Sequence, residues 1–105
     1  MAILKTITIN GGIPVDDAFI KVIEVRKRID QVRIDLVAFK DAQSSQTDND
    51  IRDFSNREIV NHTEKAFVKY FSEEALKKQG ASLFKNAYNY IKTLSKYSGA
   101  VDVGN

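Results

Sequence analysis

Apolar and polar residues alternate in twos along the front of the chain and recur every three to four residues along its back. Ile3, Ile7 and Ile9 share one face of an extended segment, with Lys5 the exception, while Thr6 and Thr8 take the other. That spacing, rich in β-branched residues, predicts a half-buried strand. Asn10-Gly11-Gly12 follows as a turn, because Asn and Gly tolerate positive φ, and Pro14 then fixes a kink without donating to a ladder. A second strand is predicted over Ala18–Arg28. Its apolar residues occupy both parities (Phe19, Ile23 and Val25 against Ile20 and Val22), which means a central strand covered on both sides or one with a bulge. Gln31–Lys40 is the third, with Val32, Ile34, Leu36 and Ala38 on one face. The short turn at Ile29-Asp30-Gln31 makes strands two and three an antiparallel hairpin.

Asp41–Asp50 has almost no apolar content and is predicted to be mobile in the isolated protein, because it cannot bury enough surface to offset its ordering entropy. A fourth strand is predicted from Glu58 to Phe71, with inward parity left open. Ser72-Glu73-Glu74 then reads as a helix start, a hydroxyl cap followed by acids in the first turn. A break is expected at Gly80. From Ala81 to Lys96 the stripe Phe84, Ala87, Tyr88, Ile91 and Leu94 has helical spacing. These periodicities predict one α+β domain over 1–105. Its antiparallel sheet has about four strands, the C-terminal amphipathic helix packs on one face, a polar loop spans 41–56 and an extended tail spans 99–105. Strand one is expected at or near a sheet edge.

Composition narrows the function. The chain of 105 residues is 43% hydrophobic and 29% charged, ordinary for a globular domain with one core. Met1 to Lys5 leads into a β-like segment without a signal-peptide pattern, and no apolar run is long enough to cross a bilayer. With no cysteine there are no disulfides or thiolate-held metals. A net charge of +2 with acids and bases intermixed does not advertise nucleic-acid binding. No cofactor, membrane or small-molecule substrate is expected.

Individual candidates for chemistry are weak. His62, the one histidine, lacks a second imidazole or a base–nucleophile arrangement and reads as a surface residue. Asp48, Asp50 and Asp53 resemble an oxygen-rich cation site but lack the calcium-loop glycine and distal glutamate. Lys21, Arg26, Lys27, Arg28 and Arg33 cluster around the hairpin, interleaved with Glu24, Asp30 and Asp35; mixed signs on a sheet point to a solvated surface or a protein interface. Tyr90 and Tyr97 are candidate interface anchors, since Tyr suits sites buried at one end and wet at the other. The tail Ala100-Val101-Asp102-Val103 is apolar for an exposed segment. Val101 and Val103 are therefore candidates for docking on a neighbour, with a tail folded back on its own sheet as the equal alternative.

Two stretches also carry a resemblance. Thr6-Ile7-Thr8-Ile9-Asn10-Gly11-Gly12 with Asp17-Ala18-Phe19-Ile20, and Ala87-Tyr88-Asn89-Tyr90-Ile91-Lys92-Thr93-Leu94 followed by Gly99-Ala100-Val101-Asp102, are similar to small proteins encoded in tailed-bacteriophage structural gene modules. Members of that family open on a TTINGI-type strand and turn, continue with a DAYI/RV-type strand, and end on AYxYLKTLxxFxGAxD. The resemblance implies a non-enzymatic virion structural or assembly protein of the tail, the head–tail connection or the head surface. It would be made in the host cytoplasm and used in many symmetric copies against other virion proteins and itself. This chain departs from the pattern in its long middle loop and in the helix-like turn between Ser72 and Ser82. The alternative class is a soluble intracellular protein-binding module or small regulator.

Overall fold

The computed structural model describes residues 2–9, 12–41, 43 and 50–103. Strands β1 (Ala2–Ile9), β2 (Ile13–Lys27), β3 (Gln31–Phe39), β4 (Asp50–Asn61) and β5 (Val101–Val103) form one sheet in the order β4-β3-β2-β1-β5, every neighbouring pair antiparallel. Between β4 and β5 come a π-helical turn (Phe67–Phe71) and two α-helices, α1 (Glu73–Lys77) and α2 (Leu83–Ile91). The fold is α+β with helices on one face of the sheet. The sheet has five strands where the periodicity predicted about four.

β2 explains its own mixed parity. It is the middle strand of the five, and its register against β3 shifts between Val22 and Glu24. Ile23 is the extra residue of this bulge, so the inward-facing set passes from Ile20 and Val22 to Val25. A second irregularity sets Asp16 and Asp17 against Thr6, between the pairs Lys5↔Ala18 and Ile7↔Val15. Asp17 takes φ +49, which Asp tolerates better than most residues, and its N–H donates to Thr6 Oγ1 at 3.3 Å.

Two sequence expectations are corrected. The fourth strand is not Glu58–Phe71: β4 runs Asp50–Asn61 and the chain then turns into helix. Glu64 stops the strand, its carboxylate accepting from Asn61 N–H at 2.8 Å while its own N–H donates to Asn61 O. Ala66, Phe67, Tyr70 and Phe71 then repeat at helical, not strand, spacing, which is why no single parity fitted. The polar loop of 41–56 is shorter, since 50–56 belong to β4; Ala42 and residues 44–49, most of the stretch expected to be mobile, lie outside the described residues. β1 lies next to the edge of the sheet, as expected. The tail closes back as β5, pairing Val101 with Leu4, Asp102 with Ile3 and Val103 with Ala2.

The helical half follows its capping residues. Ser72 and Ser82 hydroxyls accept from the N–H groups of Ala75 and Lys85, one turn into α1 and α2. Gly80, at φ +80, provides the break between them. The core lies between α2 with the π-helical turn and the sheet face bearing Ile3, Ile20, Val22, Val32, Ile34, Leu36 and Val60. Ala87, Tyr88 and Ile91 fill it from α2 as the stripe predicted. Phe84, in the first turn, stays half exposed, and Leu83 packs on the core instead.

Candidate functional site

Polar groups on the helix side of the sheet are spent on holding elements together. Tyr88 reaches from α2 to β2, where its hydroxyl accepts from Val22 N–H at 2.8 Å. Asn86, buried beside it, donates through Nδ2 to Tyr70 O at 2.7 Å and so ties α2 to the π-helical turn. Lys5, the misfit of the β1 pattern, donates its ammonium to Ser98 O. Lys92 pairs with Asp102 at 2.9 Å, joining the end of α2 to β5.

Tyr97 is wholly buried, and Asn56 Nδ2 donates both to its hydroxyl at 2.7 Å and to Glu58 Oε2 at 2.6 Å. Burial pushes the Tyr97 phenol up to about 12; the Asn56 hydrogen bond opposes the shift and the Glu58 charge adds to it. Tyr88 is raised by burial against the opposing Val22 hydrogen bond. Tyr90 is raised by burial and then by Glu64 and Glu58. Each phenol therefore stays protonated and serves as a neutral hydrogen-bonding or packing group.

The other sheet face bears a second, smaller apolar cluster. Ala2, Phe19 and Phe39 are buried there with Leu4, Val37 and Val103 packed around them. Towards the β2–β3 turn the same face becomes charged. Glu24 pairs with Arg26 (3.3 Å) and Arg33 (3.1 Å), and Asp35 pairs with Arg57 (2.8 Å) and Arg33 (3.6 Å). Ile23 and Ile59 stand exposed beside this network. An open depression of about 440 Å³ is bounded by Ile23, Asp35, Val37 and Arg57. Glu24, Arg26, Arg33 and Asp35 of the hairpin thus form an ion-pair lattice with Arg57.

The four interface candidates separate. Tyr97 is part of the core and cannot anchor a neighbour through its ring, because nothing of it is exposed. Tyr90 is half-buried and packs edge-on against Tyr70 and Phe71, both centroids at 5.9 Å. Val103 packs on the small second cluster through its place in β5. Val101 alone of the four remains largely exposed, at 61%, on the outer strand. His62 sits at the β2–β3 turn with its N–H donating to Asp30 O at 2.9 Å and Nδ1 3.0 Å from the same oxygen. Asp48 and the side chains of Asp50 and Asp53 lie outside the described residues. Among the described residues no three acidic or histidine groups gather as metal ligands, and no helix is long and apolar enough to cross a membrane.

Sequence reasoning missed Asn56, Asn86 and the Tyr88 hydroxyl as structural ties, since a hydrogen bond across distant elements leaves no periodic trace. Compared with protein-family models, curated proteins and solved structures, the chain finds no match.

Proposed function

We propose that this chain is a non-enzymatic structural or assembly component of a tailed-bacteriophage particle, acting in the tail, the head–tail connection or the head surface. It works through contacts with other virion proteins and with copies of itself. The observation that carries the reading is the joining of the two stretches that bear the resemblance. β5 lies on β1, and α2 reaches β2 through Tyr88, so the front hairpin and the C-terminal helix and tail make one unit. The charged end of the second sheet face, with its ion-pair lattice and exposed Ile23 and Ile59, supports a role in contact; such surfaces gain affinity through repetition in a symmetric assembly.

The test is genetic. Loss of the chain should leave incomplete particles in the lysate, which the purified protein converts into complete ones. Intact particles at normal yield would instead favour a soluble protein-binding regulator.

A further inference from the structure

β2 is longer than the strand beside it, and the difference leaves part of a central strand open. β2 spans 15 residues and β1 only 8; the β1 register ends with Ile3↔Ile20 and Ala2 comes next. From Val22 to Lys27, β2 therefore has β3 on one side and no described strand on the other. The Tyr88 hydroxyl closes the first position of this gap by accepting from Val22 N–H.

Beyond it the backbone directions can be worked out. Arg28 N–H donates to Gln31 O at 2.7 Å, so Arg28 points at β3. Antiparallel pairs alternate between hydrogen-bonded and non-hydrogen-bonded, which places Arg26 with Arg33 in the first class and Lys27↔Val32 and Val25↔Ile34 in the second. The N–H and C=O groups of Val25 and Lys27 thus point away from β3 into the gap. No hydrogen bond outside the ladders engages them among the described residues.

The side chains around the gap are of two kinds. Lys21, Arg26, Lys27 and Arg28 are basic, and only Arg26 is in an ion pair, through Glu24. Ile23 and Ile29 are 56% and 96% exposed at its two ends. An open depression of about 510 Å³, bounded by Lys27, Arg28, Ile29, Phe67, Ser72 and Glu73, lies at the same end of β2.

We propose that this gap receives an extended acidic segment of a partner protein, which pairs with Val25 and Lys27 by strand addition. The backbone supplies the hydrogen bonds and alternate side chains supply selectivity. An acidic strand neutralises the basic rim, whereas a second copy of the same edge is repelled by it; edge charges are a known barrier to self-pairing. The inference rests on the assembly reading only for the source of the segment.

A heptapeptide alternating valine with aspartate and glutamate, and a control alternating valine with lysine, can be titrated into the ¹⁵N-labelled full chain. The acidic peptide should shift and slow the exchange of the Val25 and Lys27 amides, weaken with added salt, and bind at least about tenfold more tightly than the control. Val25→Pro removes one gap-facing N–H without touching the β3 ladder and should abolish binding. Arg26→Glu with Arg28→Glu, both exposed, should invert the preference between the peptides. Equal binding of both peptides, binding mapped to another edge, no binding, or self-association through this edge would overturn the proposal. Peptide binding by a chain absent from particles would overturn the assembly reading and leave the edge proposal intact.

Discussion

At the scale of single residues, the fold depends on a few polar atoms placed where no strand or helix could satisfy a partner. Val22 N–H is such a donor, and Tyr88→Phe deletes its acceptor. A buried donor left without a partner costs about 1–3 kcal/mol, so urea denaturation should show the variant destabilised by that amount. Tyr97 supplies a pH signature. Its folded-state pKa of about 12 exceeds the unfolded value of 10, so the unfolded chain releases its proton first as pH rises. The stability from this group is therefore complete below pH 10 and lost between pH 10 and about 12, on the order of 3 kcal/mol in total. The urea denaturation midpoint should fall across that range in the native chain, and Tyr97→Phe should flatten the dependence.

At the scale of elements, α2 and β5 are the parts whose removal is most telling. Ile91 is fully buried between α2 and the sheet, so Ile91→Asp places an unpaired charge in the seam and costs several kcal/mol; circular dichroism should show loss of cooperative folding. β5 is held by three residue pairs with β1, by the Lys92–Asp102 bridge and by Val103 on the second apolar cluster. Deleting 100–105 should accordingly lower the melting temperature by roughly 5–10 °C; an unchanged melting temperature would mean that the tail contributes nothing to the folded unit. The hairpin, the Gly80 break and the α2 stripe were legible in the sequence because each is a local pattern of period or turn chemistry. The fate of the tail was not, since β1 and β5 meet across almost the whole chain and three residues carry no period. The segment after Glu58 misled for a different reason: Val60 and Phe71 are both fully buried, yet one faces inward from a strand and the other from a helical turn. Of the interface candidates, Val101 stands exposed on β5. Tyr97 is buried, its hydroxyl met by Asn56 from a distant strand, a pairing that no local pattern marks.

At the scale of the whole molecule, one face of the sheet is sealed by helices and the other offers an ion-pair lattice beside exposed aliphatic residues. Its strands end unevenly, leaving backbone groups of β2 open along a basic rim. The assembly proposal has a quantitative consequence. A component of a symmetric particle occurs in a fixed whole-number ratio to the other structural proteins, whatever the conditions of growth. The most direct measurement is quantitative mass spectrometry of purified particles, with copy number set against the most abundant shell and tail proteins. The account predicts the chain at a constant integer stoichiometry that survives gradient purification; its absence from particles, or a trace amount that varies between preparations, would contradict it.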